Sequence, residues 1–243
     1  MILKSMAAQI IDFHSHILPG IDDGSTSVKE SIEMLRMEAE QGVQHVIATP
    51  HFYAKYDTPA EFLKKRKRAE AKLREEMAKH EGLPQLSVGA EIFFFAGIAD
   101  SDVLRELTID GKECIILEMP PLPWSESMYR EMEGISVRQG ITPILAHIDR
   151  YVRPFKVRGI MDRLEQLPVL VQANAGFFLC PQTKRLALRL LRDDRIHLLG
   201  SDCHNTTLRA PNIGQAVAVI EQRLGSHALS AIEEYQDILL QSE

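Results

Sequence analysis

Two histidines separated by one residue follow an apolar segment near the start of the chain. Residues 10–24 read IIDFHSHILPGIDDG, so His14 and His16 come where a β-prone run ends, and Asp22 and Asp23 follow in the next loop. Alternate residues of a strand point to the same face, so both imidazoles can be directed at one point. Imidazoles and carboxylates that converge in this way suit a divalent transition metal. A short H-x-H pattern also occurs in ordinary strands, so the rest of the chain must decide.

Similar side chains recur at the ends of other predicted strands. Apolar, β-prone segments predict seven strands, at about residues 9–13, 43–49, 86–91, 113–118, 142–147, 169–174 and 196–201. Eight histidines and carboxylates lie at or just past a strand end: His14, His16, His51, Glu91, Glu118, His147, Asp202 and His204. In a β/α barrel these ends open onto one face, where active sites lie. Five of the nine histidines are placed in this way, which favours one common site.

Amphipathic segments alternate with these strands. Helices are predicted between Ser27 and Gly42 and at about residues 58–81, 125–139, 157–166, 181–192, 213–224 and 228–240. Such alternation is typical of a parallel sheet wound by crossover helices. A length of 243 residues is ordinary for a single α/β barrel, and no linker or low-complexity segment divides the sequence. We therefore expect an α/β fold in which residues 1–243 form a single domain.

Composition and charge exclude several functional classes. Hydrophobic residues make up 45% of the chain and charged residues 26%, which is normal for a globular protein. The net charge of -6 gives no steering toward nucleic acid. The basic run KKRKR at residues 64–68 is surrounded by acidic residues, so we interpret it as a solvated helix face.

The cysteines and the apolar segments bear on the compartment. Three cysteines, an odd number and far apart in sequence, do not form a disulfide framework and fit a reducing cytoplasm. The N-terminal residues have no signal-peptide pattern, and the most apolar segment, residues 92–99, is too short to span a bilayer. We expect a cytoplasmic protein without direct membrane insertion.

The candidate ligands outnumber the needs of one ion. A catalytic zinc takes three protein ligands, whereas this chain offers nine candidates when Asp23 is counted. That number suggests two or three ions with a bridging carboxylate, and manganese, iron and zinc all suit the donor types. Paired metals about 3.5–4 Å apart hydrolyse phosphate esters. Arg150 and Arg209 follow His147 and His204 closely, and their guanidinium groups match phosphate oxygens, unless they are ordinary surface arginines.

Six motifs together resemble a known family. They read DFHSHILPGIDDGS, ATPH, GAEI, ILEMP, AHIDRY and GSDCHN, and with Arg209 they span residues 12–209. They resemble the PHP (polymerase and histidinol phosphatase) superfamily, and within it the bacterial metal-dependent protein-tyrosine phosphatases of capsular and exopolysaccharide operons. The resemblance implies a distorted seven-stranded (β/α)7 TIM-like barrel with a trinuclear, typically manganese-dependent site.

The resemblance also implies which residues bind each ion. One ion would be held by His14, His16, Glu91 and Asp202. Glu91 would bridge to a second ion, which is also held by Glu118 and His147. The third ion would be held by Asp23, His51 and His204, although the adjacent Asp22 is an alternative to Asp23. Arg150 and Arg209 fall where the family has its phosphate-binding arginines.

The expected activity is hydrolysis of phosphotyrosine by a metal-bridging hydroxide, without a phosphoenzyme. The resemblance implies that the substrate is the phosphotyrosine-rich tail of a tyrosine autokinase that controls polysaccharide export. A small-molecule phosphatase, such as a histidinol-phosphate phosphatase, is the alternative within the same chemistry. The aromatic residues 93–95 and Trp124 either line the path of the phenyl ring or pack in the core.

A second phosphatase pattern is present and competes with the metal site. Residues 203–209 read CHNTTLR and fit C-x5-R, the phosphate loop of cysteine-dependent tyrosine phosphatases. The loop has no glycine, which close approach of backbone amides to phosphate favours. Cys203 also lies between two predicted ligands, Asp202 and His204. We therefore interpret this stretch as D-x-H followed by a phosphate-binding arginine.

Overall fold

The strands of the curled sheet all run parallel. The computed structural model describes residues 9–152 and 158–241. The strands in these residues are β1 Ile10–Ser15, β2 Val43–Ala48, β3 His51–Phe52, β4 Gln85–Val88, β5 Glu91–Phe93, β6 Cys114–Glu118, β7 Thr142–Leu145, β8 Leu170–Asn174 and β9 Leu198–Gly200. One sheet has the order β1-β2-β4 and the other β3-β5-β6-β7-β8-β9. The predicted parallel α/β fold is confirmed, with the strands in two sheets.

Helices connect the strands. They are α1 Val28–Glu40, α2 Pro59–Met77, α3 Leu104–Leu107, α4 Glu126–Gln139, α5 Asp149–Val152, α6 Arg158–Leu164, α7 Ala175–Leu179, α8 Lys184–Arg192, α9 Ile213–Leu224 and α10 His227–Gln241. Two 3-10 turns, Ile98–Asp100 and Ile109–Gly111, precede β6. In the described parts of the chain, no helix is long and apolar enough to cross a membrane.

The sheet is interrupted at the edge where the candidate ligands lie. The second predicted strand is β2, and a separate strand of two residues, β3, follows it; the third predicted strand is divided into β4 and β5. Two backbone hydrogen bonds continue across this interruption, from Gly89 N to Ala48 O at 2.9 Å and from Glu91 N to Pro50 O at 3.0 Å. His51 and Glu91 are therefore direct neighbours in the short β3–β5 pair.

β1 also lies beside the end of β9. The Asp202 amide donates to His14 O at 2.8 Å, and the His16 amide donates to Cys203 O at 2.9 Å. Ser15 and Cys203 form a parallel bridge. These bonds bring the first and last strands of the chain together. They place the segment that contains His14 and His16 beside the segment that contains Asp202 and His204.

Buried apolar side chains fill the concave side of the sheet and the layer under the helices. Ten of them form one cluster to which β1, β2, β6, β7 and β9 all contribute, together with Leu239 of α10. Side chains from five parallel strands meet in one cluster only if the sheet curls. A larger cluster lies between the strands and the surrounding helices.

Local signals fix where the main helices begin. Ser27, Thr58 and Ser125 are the N-caps of α1, α2 and α4, and each side chain accepts a backbone N–H from three residues later. In α1 the reciprocal contact differs from the usual capping box, because the Glu30 carboxylate accepts from Thr26 rather than from Ser27. Three short helices, α3, α5 and α7, were not predicted. The predicted start of the helix at 157 lies outside the described residues.

Candidate metal centre

The structure brings all nine predicted ligands to one place. His14 lies near the end of β1 and His16 directly follows that strand, His51 and Glu91 begin β3 and β5, and Glu118 ends β6. The other four lie in the loops after β1, β7 and β9: Asp23, His147, Asp202 and His204. His14, His16 and His147 are fully buried, and Glu91 is 1% exposed. Such burial of unlike polar groups requires that they satisfy one another or bind a ligand.

A first group of donors surrounds Glu91. Its Oε2 lies 3.3 Å from His14 Nε2 and 3.2 Å from His16 Nε2, and the two nitrogens are 3.2 Å apart. Asp202 Oδ1 lies 3.8 Å and 3.6 Å from the same nitrogens. When nitrogen and oxygen ligands bind one ion at about 2.0–2.2 Å, their distances from each other are similar to those in this group. These four side chains therefore have the spacing of a single coordination shell.

A second group shares the Glu91 carboxylate. His147 Nε2 lies 2.7 Å from Glu91 Oε1 and 3.6 Å from Glu118 Oε1. His51 Nδ1 lies 2.9 Å from Glu91 Oε2 and 4.0 Å from Glu118 Oε2. The two oxygens of Glu91 thus face different sets of histidines, as a bridging carboxylate would.

The third group includes Asp23 and not the adjacent Asp22. Asp23 Oδ1 lies 3.5 Å from His51 Nε2 and 3.4 Å from His204 Nε2. Asp22 is turned instead toward His16, whose Nδ1 lies 2.8 Å from its Oδ2, and it also accepts the His51 amide. The structure therefore groups Asp23 with the histidines that the third ion would need. Asp22 orients His16 from behind, a role that carboxylates commonly have beside metal-binding histidines.

Several buried polar atoms in the centre lack hydrogen bonds. His51 Nδ1, Glu91 Oε2, His147 Nδ1 and His204 Nε2 have no partner with hydrogen-bond geometry in the described structure. His51 Nδ1 and Glu91 Oε2 lie only 2.9 Å apart, so they are close but poorly aligned. Buried polar atoms are normally paired, and each exception requires an explanation. A bound cation would satisfy the lone pairs of His51 Nδ1, Glu91 Oε2 and His204 Nε2, so the donor set fits a metal centre; His147 instead directs its Nε2 at Glu91 and Glu118.

The electric field in the centre favours positive charge. Burial alone would lower the pKa of His16, but its hydrogen bond to Asp22 and the negative charges of Glu91 and Asp22 outweigh burial and raise the pKa to about 10. Burial alone would raise the pKa of Glu91, but His14 and the neighbouring histidines hold it well below its usual range. Glu91 therefore stays ionised and attracts positive charge, which either protons on the imidazoles or metal ions can carry. Burial and the charge of Glu91 instead raise the pKa of Glu118.

Asp202 lies between the histidines and two arginines. Its Oδ2 is 2.5 Å from Arg150 Nη2, and its Oδ1 is 2.7 Å from Arg209 Nη2. Burial opposes ionisation, yet the charges of His14 and Arg150 hold the pKa of Asp202 below its usual range. The two arginine side chains remain 39% and 40% exposed. Both predicted arginines therefore reach the metal face and remain accessible to a ligand.

His204 differs from the other histidines of the cluster. Burial and the charge of His16 lower the pKa of His204 to about 4. Its Nδ1 lies 3.0 Å from Asp202 O, an arrangement in which this ring nitrogen donates its proton. The other nitrogen, Nε2, then carries the lone pair near Asp23, which is the form a metal requires.

Backbone geometry aims two of the candidate ligands. His147 and Asp202 have positive φ angles of 35° and 54°. Non-glycine residues rarely adopt this region, and those that do cluster at functional sites. Gly24 is required for a different reason, because a Cβ there would lie 2.2 Å from His16 O and 2.5 Å from His16 Cβ. The loop that bears Asp22 and Asp23 can approach β1 only with glycine at this position.

Sequence reasoning missed a set of supporting residues. Asn174 Nδ2 donates to Asp202 Oδ2 at 3.0 Å, and Gln172 Oε1 accepts the His147 amide at 2.6 Å. Asp12 accepts the backbone amides of His14 and Ser201 at 3.0 and 2.8 Å. Asn174 lies at the end of a predicted strand, so a search for polar residues at strand ends, which identified the candidate ligands, could also have identified Asn174. Gln172 and Asp12 lie inside strands, where no sequence pattern distinguishes them.

Cys203 is unsuited to act as a nucleophile. It is fully buried, and its sulfur lies with Asp12 and Glu38 in a separate buried group. Burial and the charges of Glu38 and Asp12 raise the pKa of its thiol well above the ordinary value. A thiolate is the reactive form, so this environment disfavours the C-x5-R chemistry.

The aromatic residues that were predicted to line the site have different surroundings. Trp124 packs edge-on against Tyr129 and Tyr151, with ring centroids 5.7 and 4.9 Å away, and its indole N–H donates to Pro120 O. These contacts favour packing for Trp124. Phe93 instead lies beside Tyr53, a residue that was not predicted, with a centroid distance of 5.6 Å.

The fold and the centre define a metal-dependent hydrolase built on a curled parallel sheet, and comparisons with known proteins agree. The chain belongs to the CpsB/CapC family of capsular polysaccharide synthesis proteins, whose sequence model matches residues 10–237. The family-level resemblance of the motifs is thereby confirmed.

Similar proteins cover nearly the whole chain. The tyrosine-protein phosphatase YwqE of Bacillus subtilis is 28% identical over 244 residues, covering 96% of this chain and 92% of that protein. The tyrosine-protein phosphatase CpsB of Streptococcus agalactiae is 24% identical, covering 95% and 98%.

Solved structures agree with the fold. A chain from the crystal structures of YwqE from Bacillus subtilis and CpsB from Streptococcus pneumoniae, metal-dependent tyrosine phosphatases, matches with a TM-score of 0.84. It is 27% identical, and the match covers 96% of this chain and 94% of that one. The phosphotriesterase homology protein of Escherichia coli shares the fold, with a TM-score of 0.55 at 12% identity.

Proposed function

We propose that this chain is a metal-dependent protein-tyrosine phosphatase. The observation that carries the proposal is the convergence of nine histidine and carboxylate side chains with two accessible arginines at one edge of the sheet. The named activity of the similar proteins from Bacillus and Streptococcus supports it. Neither a nucleic-acid surface nor a thiolate nucleophile explains this set of residues.

We propose three positions for metal ions among these residues. His14, His16, Glu91 and Asp202 would hold the first, and Glu91, Glu118 and His147 the second. Asp23, His51 and His204 would hold the third, with Asp22 orienting His16. We propose two to three manganese ions per chain, with iron or zinc as the alternatives that the donor types allow. When bound, the ions supply Lewis-acid stabilisation of the phosphoryl oxygens and lower the pKa of water for attack on phosphorus.

The residues of the chain bind and orient the substrate. Arg150 and Arg209 bind the phosphate oxygens through charge-assisted hydrogen bonds. Asp202 fixes both arginines from one side, so their guanidinium groups are pre-positioned for an anion. Water attacks phosphorus and the P–O bond to the phenol breaks. The proton lost by the water ends on the departing phenolate, so the products are tyrosine and inorganic phosphate. The buried Cys203 takes no part, so no phosphoenzyme forms.

The wider setting of the enzyme follows from its family. We propose that it acts in the cytoplasm on the phosphotyrosine-bearing tail of a tyrosine autokinase that controls capsule or exopolysaccharide synthesis. We also propose that the two sheets form one distorted seven-stranded barrel in a single domain. The bonds from Asp202 to His14 and from His16 to Cys203 support that closure.

The first prediction concerns metal dependence. Chelator should abolish hydrolysis of a phosphotyrosyl peptide, added manganese should restore it, and Cys203→Ser should leave it intact. The physical reason is that the reaction uses the His and carboxylate centre and not the buried thiol. Initial rates with metal analysis of each sample are the measurement. Activity that ignores chelator and disappears in Cys203→Ser would reject the proposal.

The same assay tests the small-molecule alternative. Histidinol phosphate and the phosphotyrosyl peptide are compared with the manganese-loaded protein, at matched protein and metal concentrations. A higher kcat/KM for the peptide supports the protein phosphatase. A higher kcat/KM for histidinol phosphate would assign the centre to small-molecule hydrolysis.

A further inference from the structure

An aromatic side chain lies directly against the candidate metal centre. Tyr53 follows His51 by two residues, and its ring centroid is 5.2 Å from the His51 ring with an interplanar angle of 31°. Phe93 lies on its other side at 5.6 Å, and the ring of Tyr56 is 6.4 Å away. These three side chains, which we call the aromatic wall, come from the loop after β3 and from the end of β5.

The aromatic wall is accessible, unlike the neighbouring core. Tyr53 and Phe93 are partly exposed, and Tyr56 is 76% exposed. Phe52, one residue before Tyr53, is fully buried and packs on Phe62. Within the described residues, the hydroxyl of Tyr53 makes no hydrogen bond. The packing of the core therefore does not account for an aromatic residue at position 53.

The aromatic wall and the two arginines meet the centre at a shared residue. Phe93 pairs with Glu118 in the strand register, and the amide of Phe94 donates to Glu118 O at 2.8 Å. Arg150 Nη1 lies 3.3 Å from Glu118 Oε1. Glu118 thus lies between a cationic side, formed by the arginines, and an aromatic side. A phosphate at the first side and a ring at the second correspond to the two parts of an aryl phosphate.

We propose that Tyr53, supported by Phe93, is the specificity-determining residue that selects aryl over alkyl phosphate esters. Its ring stacks on the phenyl ring of the substrate while the phosphate binds at the arginines. This inference rests on the proposed phosphatase function. Aromatic pairs favour offset or tilted stacking, and each pair adds binding beyond the area that it buries. Tyr53 is not a metal ligand and takes no part in the chemical step.

The test compares ligands that differ only in the group attached to phosphorus. Manganese-loaded wild type, Tyr53→Phe and Tyr53→Leu are titrated with phenylphosphonate and with inorganic phosphate, and kcat/KM is measured for phenyl phosphate. Tyr53→Leu should weaken phenylphosphonate binding about tenfold, because the stacking face is lost, and leave phosphate binding unchanged. Tyr53→Phe should bind both like wild type. Tyr235→Leu, a half-buried tyrosine on α10, is the matched control and should change neither.

Two further outcomes separate this inference from the function on which it rests. Equal losses for both ligands, or a lower metal content in Tyr53→Leu, would show that Tyr53 only positions His51 and would overturn the inference alone. Unchanged phenylphosphonate binding would overturn it as well. If Tyr53→Leu does not fold, Phe93→Leu is the second variant, and its affinities for phenylphosphonate and for phosphate are compared in the same way. A wild type that hydrolyses no phosphate ester in the presence of manganese would overturn both proposals.

Discussion

At the scale of single residues, the two adjacent aspartates show how position separates similar groups. Asp22 and Asp23 have the same chemistry and neighbouring positions, so the sequence could not choose between them. In the structure, Asp22 is hydrogen-bonded to the His16 ring and accepts the amides of Gly24 and His51. Asp23 instead lies near the rings of His51 and His204. Asp23 is 66% exposed, whereas Asp22 is 7% exposed. One aspartate is thus placed to bind an ion and the other to orient a ligand.

This difference predicts two distinct phenotypes. Asp23→Asn should remove about one manganese ion per chain, because it withdraws a charged donor from the third group. Asp22→Asn should keep the full number of ions but weaken their affinity by about 10–100-fold, as loss of a supporting partner commonly does. Metal content and manganese titration by calorimetry measure both quantities. Identical behaviour of the two variants would contradict the assignment.

The residues that sequence reasoning found share one property, and those it missed lack it. His14, His51, Glu91 and His147 come at the ends of apolar segments, so the predicted strands pointed to them. Gln172 and Asp12 lie within strands and support the centre through hydrogen bonds to backbone amides. Such contacts depend on the partner strand, which is distant in sequence. Only the folded chain shows them.

At the scale of elements, loop packing against β1 decides the position of the carboxylates. The loop after β1 returns to its strand, with the Ser25 amide donating to His16 O at 2.9 Å. Gly24 leaves no room for a side chain at the same point. Backbone contacts therefore hold the loop against β1, and the position of the loop determines where Asp22 and Asp23 lie.

Gly24→Ala tests this element directly. The added Cβ would overlap His16, so we expect a loss of about 1–3 kcal/mol in unfolding free energy, as in other overpacked sites. Manganese affinity should fall as well, because the loop must move away from the centre. Chemical denaturation and calorimetry are the measurements. Gly176→Ala is the control, since a Cβ there meets nothing within 4 Å; equal effects in the two variants would argue against close loop packing.

Element prediction succeeded where periodicity was long and failed where it was short. Strands β1, β2, β6, β7 and β8 and helices α1, α2, α4, α9 and α10 lie close to their predicted bounds. The short helix α7 follows β8 without an intervening turn, and its five residues are too few to show a helical period. The interruption between β4 and β5 at residues 89–90 leaves Glu91 in a new strand, although its position at the sheet edge was predicted.

At the scale of the whole molecule, the centre joins the two ends of the chain. His14 lies in the first strand and His16 directly follows it, and Asp202 and His204 follow the last strand. They meet only because β1 lies beside β9, so an unfolded chain does not contain the centre. A metal that binds only the folded state stabilises it, by about 2.7 kcal/mol at a free metal concentration 100 times the Kd.

Thermal unfolding should therefore depend on metal. The Tm of the wild type should rise with manganese and fall with chelator, because bound cations offset the repulsion among the carboxylates Glu91, Asp202 and Glu118. Glu91→Gln removes the charge that both the first and second groups share, so its Tm should respond much less to manganese. Calorimetry at fixed protein concentration measures both effects. A wild-type Tm that is indifferent to manganese and chelator would mean that the two ends of the chain hold together without any contribution from a metal.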